Sequence, residues 1–513
     1  MNHTDMQPRY EVEAGINNCL LVRDTHNFDL TSLTKHALGF LERLSAQQNG
    51  RTLIVSDIQG DEMACEMFYN NIQQVIKSET VNRIIFIGSD LMAHARMFDG
   101  KIATVFYATT DAFLQSDILA SFHNEAVLLK IAPPFHPECI EQRLQQLPHD
   151  TVLEINFDAM FHNIDYFRSK LRPTTKLMCM VKASAYGSGS IEVAQAMQHY
   201  GVNYLAVAFV NEGSELRRAG IELPIMVLDP MEVSLHQLFT YKLEPEVASF
   251  RFLQLMLHEA QQRGLQHYPI HIKFDTGMHR AGFTYEDLPR LGQLLNGQHA
   301  LHVASAFSHL AAADEITSDM DAFTMQQFAD FKQCTNKLEQ ILQHQFLRHI
   351  LNTAGIERFS EYQFDMVRLG IGLWGMNCMN EQLLRNVCSL STRIMQLKHL
   401  HAGDTVGYGR CGHIVRDTDI ALLPIGYADG MDRRLGNGRG HVFYNGHEAP
   451  IVGNICMDLL MIDVTGMDAH EGDLVVVFDD DHRISHIAAQ LGTIPYEVLT
   501  SISPRVRRVY FRR

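Results

Sequence analysis

Five short segments between residues 180 and 375 of this 513-residue chain carry residue types that could do chemistry. They are Lys182 in MVKASAYGSG, Arg280 in KFDTGMHRAG, His309 in SAFSHLA, Asn352-Thr353 in HILNTAG, and Arg368 in DMVRLGIGLWG. A lysine amine can attack or carry a carbonyl compound. A guanidinium grips carboxylates and phosphates, and an imidazole moves protons near neutral pH. Glycines and small residues let backbone N–H groups cradle an anion. Taken singly, each feature has a plain explanation: a solvated strand cap, a surface ion pair, a satisfied core histidine or a tight bend. Five together point to a site, provided that one architecture brings them to the same place.

Residues 151–380 alternate β-branched runs with amphipathic patterns. The spacing predicts strands over Leu177–Val181, Tyr204–Ala208, Ile225–Leu228, Leu243–Val247, Ile270–Asp275, His302–Phe307, Leu347–Leu351 and Met366–Leu369. Eight β/α units in about 230 residues match a closed (β/α)8 barrel better than an open doubly wound sheet. Barrel enzymes gather their catalytic groups at the C-terminal ends of the strands, where all five segments fall. In the run His271–Asp275, Ile272 and Phe274 share one face. Lys273 therefore points into the barrel, where a lysine must be paired, neutral or modified.

The flanking regions read differently. Residues 1–148 show strand runs at Cys19–Arg23, Thr52–Asp57, Arg83–Ile87, Ala103–Tyr107 and Ala126–Ile131. Helical patterns over Leu30–Leu44 and Glu62–Ile76 lie between them, so a small Rossmann-like α/β domain is expected. Leu147–Asp150 reads as a linker. Residues 386–513 carry short strands at Ile394–Leu397, Ile420–Pro424, His441–Tyr444, Leu459–Val464, Leu474–Phe478 and Val506–Phe511. With turn pairs such as Asn445-Gly446 and one helix near Ser485–Leu491, this region reads as a mainly β domain. The expected boundaries are 1–148, 151–385 and 386–513.

A net charge of −16 lacks the footprint of a nucleic-acid binder. No apolar run nears the roughly 18 residues that span a bilayer, and the N-terminus has no secretory pattern. Nine cysteines without a C-x-x-C pair suit reduced thiols better than disulfides or a metal site. A cytoplasmic protein that uses no metal is expected.

MVKASAYGSG, KFDTGMHRAGF, VRLGIGLWG, LPIGYADG and GNICMDLLMIDV together resemble the alanine racemase family, in its order, over residues 151–513. The resemblance implies a pyridoxal-phosphate barrel followed by a β domain, in a homodimer with composite active sites. It implies that Lys182 carries the cofactor aldehyde, and that Lys182 and Tyr427 of IGYADG are the two bases working on opposite faces of alanine. It further implies that Arg368 faces the pyridine nitrogen and that His309 orients Arg368. The phosphate would lie against Tyr186, Thr353, the Gly370-Ile371 backbone and Tyr496, and Asn352 would be a further cofactor-binding residue. Arg280 and the backbone of Met457 would hold the substrate carboxylate. Lys273 matches a position that is carbamylated in some members; a chloride or a plain ion pair stays open. The chain departs from the family at Ser184, Ser188 and Trp374, none of them an acid or base position.

The stretches INNCLLVRDTHNFDLTSL and LLKIAPPFHPECIEQRL resemble the C-terminal domain of UDP-N-acetylmuramoyl-tripeptide–D-alanyl-D-alanine ligases. No G-x-x-x-x-G-K-[ST] loop accompanies them, and Lys130-Ile131 replaces that family's Lys-Gly pair, so no ligase activity is expected. The alternatives to alanine racemisation are a broader racemase acting on serine, a decarboxylase of the same architecture, and a scaffold without activity.

Overall fold

A computed structural model describes residues 10–24, 41, 50–58, 62–78, 80–98, 100–144, 151–376 and 379–512. Apart from Leu41, the expected Leu30–Leu44 helix lies outside these residues, as does the Leu147–Asp150 linker. The chain divides into two compact units: Met1–Val152 with Arg505–Val509, and Leu153–Pro504 with Tyr510–Arg513.

The first unit holds a sheet whose expected strands appear at Leu20–Asp24, Gly50–Ser56, Arg83–Ile87, Ala103–Tyr107 and Glu125–Lys130. These five are parallel, and a further strand, Tyr10–Ala14, pairs antiparallel with Leu20–Asp24 at the edge. The runs are apolar without alternation because both faces are covered. Leu53, Val55, Ile84 and Phe86 pack into one core, while Ile54, Ile85, Ile87 and Val127 pack into the other. The Rossmann-like expectation therefore matches this unit.

In the second unit, all eight expected barrel strands form, from Lys176–Met180 to Met366–Leu369. They make one parallel sheet in sequence order, with the eighth strand beside the first. Hydrogen bonds from Asp365 N to Arg348 O (3.1 Å) and from Arg368 N to Leu351 O (3.0 Å) draw the seventh and eighth strands together. The result is a nearly closed barrel.

The mainly β sheet runs from Gln396–Leu400 through Thr418–Leu423, Leu460–Asp463, His447–Val452, His441–Tyr444 and Leu474–Phe478 to Cys388–Arg393. Asn445 and Gly446 form its two-residue hairpin, with φ of 49° and 77°, a conformation that Asn-Gly adopts readily. The expected Ile394–Leu397 strand instead straddles the break between Cys388–Arg393 and Gln396–Leu400. The helix Ile484–Leu491 is as expected, and a second helix, Pro495–Thr500, follows it. The strand Val152–Asn156 joins this sheet beside Cys388–Arg393 instead of the barrel, tied by Asn156 N to Val387 O at 2.9 Å. Among the described residues no helix is long and apolar enough to cross a membrane.

Candidate active site

The first barrel strand delivers Lys182, half-buried, to the mouth. The next four residues, Ala183, Ser184, Ala185 and Tyr186, have φ of 54°, 53°, 50° and 57°. Left-handed backbone costs L-residues roughly 1–2 kcal/mol each, so something must impose it. Glu212, which the sequence reading did not single out, supplies much of that restraint. Its carboxylate accepts the N–H groups of Ala183 (2.6 Å), Ala208 (2.7 Å) and Phe209 (3.0 Å). Gly187 continues the turn at φ 85°, where a Cβ would stand 2.8 Å from the Leu499 carbonyl. The turn buries Tyr186 and leaves Lys182 at the rim. Burial pushes the Tyr186 phenol up, so it stays a neutral donor.

Arg368 is 4% exposed. Burial pulls its guanidinium down to about 9, which leaves it a cation at neutral pH. Nη1 donates to His349 Nδ1 (2.8 Å) and to the His349 carbonyl (3.2 Å), and Nη2 donates to the carbonyls of Ser308 and Ile350. His309 Nδ1 lies 3.3 Å from Nη2. The expected arginine–histidine contact is thus present, but His349, which sequence reasoning missed, makes the shorter one. Phe307 stacks on His349, with ring centroids 5.0 Å apart, and Arg368 and Lys273 both lie over its face.

Burial, and then the charges of Arg368, Arg280, Lys273 and Lys182, hold His309 well below the ordinary imidazole range. Burial with Arg368 and His271 does the same to His349. Both rings are therefore neutral in the folded chain but protonate below about pH 6.5 when unfolded. Each contributes stability that is fully present above that pH and is lost as pH falls below it, by up to about 1.4 kcal/mol per pH unit. Denaturation of His349→Gln should show a shallower decline in stability below pH 6.5 than the unmutated chain, by about that slope; equal slopes would contradict a neutral buried His349.

Small residues and donors cluster beside these cations. The amides of Gly370 and Gly372 point at Thr353 Oγ1, at 3.1 and 3.4 Å. Tyr186 and Tyr496 face one another with centroids 6.1 Å apart. A Cβ on Gly370 would stand 2.9 Å from the Tyr186 hydroxyl and would crowd this cradle. Ile371 starts the short turn that follows. Asn352 caps the helix Thr353–Arg358 by accepting Gly355 N at 2.9 Å, which fixes Thr353 at the helix start. Amide, hydroxyl and phenol donors next to a lysine and a buried cation fit a phosphate-bearing aldehyde such as pyridoxal phosphate.

Lys273 does point into the barrel, as strand parity demands, and its ammonium sits 2.8 Å from Glu246 Oε1. Burial pushes Glu246 up to about 7, while Lys273 and Arg280 pull it down. Its Oε2 is buried and makes no hydrogen bond. Arg280 is exposed, beyond the Asp275 turn, whose carboxylate accepts the amides of Gly277 (3.0 Å) and His279 (2.9 Å).

Tyr427 and Met457 lie together in the β region. Tyr427 N donates to Cys456 O and Ala428 N to Met457 O, both at 3.0 Å. A Cβ on Gly426 would lie 2.2 Å from the Met457 carbonyl, so the two loops touch through glycine. Tyr427 is 44% and Met457 54% exposed in the single chain, which is high for side chains of this size.

A nearly closed barrel with a lysine, a buried arginine and an anion cradle at its mouth, followed by a mainly β region, defines a barrel enzyme of the pyridoxal-phosphate type. Comparison with known proteins gives the family. The model for the alanine racemase N-terminal domain matches residues 155–378, and that for the C-terminal domain matches residues 387–510. The chain belongs to the alanine racemase family. It is 37% identical to the alanine racemase of Desulforamulus reducens over 371 residues, covering 70% of this chain and 98% of that protein. It is 36% identical to alanine racemase 1 of Clostridium acetobutylicum over 375 residues, covering 70% and 95%. Among solved structures, the alanine racemase of Clostridium difficile 630 superposes with a TM-score of 0.67 at 32% identity, covering 72% of this chain and 97% of that one. The Bartonella henselae enzyme, solved with covalently bound pyridoxal phosphate, gives 0.64 at 28% identity, covering 70% and 99%. The matched family domains begin at residue 155, beyond the ligase-like stretches.

Proposed function

We propose that this chain interconverts L- and D-alanine with pyridoxal phosphate, supplying D-alanine for peptidoglycan in the cytoplasm. The observation that carries the reading is the convergence of Lys182, Arg368 and the Thr353–Gly370 cradle on one barrel mouth. The relatives named above are alanine racemases, which favours alanine over the serine, decarboxylase and scaffold alternatives. When bound, the cofactor supplies the electron sink that makes the Cα–H acidic.

The chain supplies the rest. Lys182 holds the aldehyde and then serves as base on one face. Tyr427 serves on the other, from a second copy of the chain, which would also cover the exposed Tyr427 and Met457. Arg368 would donate to the pyridine nitrogen without readily giving it a proton, because a guanidinium stays charged. That limits the electron sink and suppresses side reactions such as transamination. Tyr186, Tyr496, Thr353 and the Gly370-Ile371 backbone hold the phosphate, with Asn352 fixing the position of Thr353. Arg280 and the Met457 amide hold the substrate carboxylate.

Glu246 bears on the state of Lys273. Its carboxylate already sits on the ammonium and is felt by Arg280, so a carbamate on Lys273 would place a second anion beside it. Lys273 therefore works as an ion-paired ammonium. Protein equilibrated with 13C-bicarbonate should show no carbamate resonance; a resonance that disappears in Lys273→Ala would contradict this.

The first unit, with its own two-sided core, is not part of the racemase site. A chain lacking residues 1–148 should retain kcat/KM for alanine within about two-fold. An inactive or insoluble product would contradict that independence. The function itself is tested by incubating the full chain and pyridoxal phosphate with each L-amino acid and resolving the products by chirality. D-Alanine should form fastest; faster formation of D-serine would move the reading to the broader racemase.

A further inference from the structure

Below the cofactor-facing end of Arg368, a hydrogen-bond chain crosses the barrel interior. Arg368 Nη1 lies 2.8 Å from His349 Nδ1, His349 Nε2 lies 2.8 Å from Ser305 Oγ, Ser305 Oγ lies 2.6 Å from His271 Nδ1, and His271 Nε2 lies 3.0 Å from Glu244 Oε2. His349, Ser305 and His271 are all 0% exposed. The register between the fifth and sixth strands skips Ala304, which sets Ser305 directly beside His271. A bulge of this kind re-aims a side chain.

The direction of each link follows from its ends. A guanidinium only donates, so His349 Nδ1 must accept and the His349 proton sits on Nε2. A carboxylate only accepts, so His271 carries its proton on Nε2. Ser305, in between, accepts from His349 and so turns its own proton toward His271 Nδ1. Each donor in the row then has one acceptor, and the row ends on an anion. If Ser305 lost its hydroxyl, His349 would lose its only acceptor for Nε2–H among the described residues, and the Arg368 contact alone would be left to oppose the other tautomer. That tautomer turns an N–H toward the Arg368 guanidinium.

We propose that Ser305, His271 and Glu244 are positioning residues for the racemase reaction: they lock His349 as its Nε2–H tautomer, so that its Nδ1 lone pair holds Arg368 in place. The inference rests on the reading that Arg368 faces the cofactor, but the lock itself is a property of the protein before cofactor binds. It is read directly by long-range 1H–15N correlation on the full chain labelled with 15N-histidine, with His349→Gln and His271→Gln assigning the signals. Both rings should show a protonated Nε2 and a bare Nδ1 at neutral pH. Ser305→Ala should give His349 a mixture of tautomers and lower kcat about ten-fold, with KM for alanine within about two-fold. Ser305→Thr, which keeps the hydroxyl, should restore both. A protonated Nδ1 on either ring of the unmutated chain would overturn the lock, even if Ser305→Ala does not fold. Unchanged tautomers in Ser305→Ala would overturn it too. A released tautomer with unchanged kcat would overturn the proposal through the role given to Arg368 instead.

Discussion

Lys182→Ala should reduce racemisation in both directions by at least about 10⁴-fold, because one substitution removes a proton-transfer group worth roughly 10²–10⁴ and the covalent anchor of the cofactor as well. The phosphate contacts proposed for Tyr186, Thr353, Gly370 and Tyr496 would remain, so the cofactor should still bind, reversibly. The variant should therefore lose its cofactor colour on dialysis, whereas the unmutated chain keeps it. Turnover within ten-fold of the unmutated enzyme, or colour that survives dialysis, would refute the role of Lys182. The left-handed turn over Ala183–Tyr186, pinned by Glu212, begins after this residue and does not depend on its side chain. Loss of activity would then not be a loss of fold.

Tyr427→Phe should separate the two faces of the substrate. L- and D-alanine are mirror images of equal free energy, so net flux in the two directions must fall together whatever the residue does. Hydrogen exchange at Cα is not bound in that way. With the phenol gone, Lys182 still reaches the Cα–H of D-alanine, and exchange into D2O should persist from that isomer. Exchange from L-alanine should fall by about 10²–10⁴-fold, the usual worth of a positioned base. A symmetric loss from both isomers would contradict the assignment of one base to each face. Phenylalanine keeps the ring and removes only the hydroxyl, and Tyr427 is well exposed in the single chain, so little stability is at stake.

The barrel was legible in the sequence because its strands are runs of apolar, often β-branched residues separated by helical patterns, and because polar groups recur at their C-terminal ends. Strand parity alone turned Lys273 inward, where it is found. The same parity would have turned Glu244 and Glu246 inward with it. The strand expected over Leu243–Val247 contains both, but they lie within it, before the C-terminal end where barrel enzymes gather their catalytic groups. His349 was passed over in favour of Asn352-Thr353, since HILNTAG looks like a strand end whose last residues do the work. Only the stacking on Phe307 and the bond to Arg368 reveal it. Glu212 looks like any acidic residue in a helix's first turn, and its role depends on three amides brought to it by the fold. In the β region, Pro450 interrupts the pattern of His447–Val452, so that strand was missed although the Asn445-Gly446 turn announces a hairpin. No local pattern announces that Val152–Asn156, which precedes the barrel in sequence, pairs beside Cys388–Arg393 in the mainly β sheet.

The central claim is that each site joins Lys182 of one copy to Tyr427 of another. Mixing the two disabled chains, Lys182→Ala and Tyr427→Phe, under conditions that exchange subunits tests it without a structure of the assembly. A mixed dimer then holds one site with both lesions and one with neither, and random pairing makes about a quarter of all sites intact. Racemisation should return to about a quarter of the unmutated rate; a mixture as inactive as its components would show that the two residues serve the same chain's site.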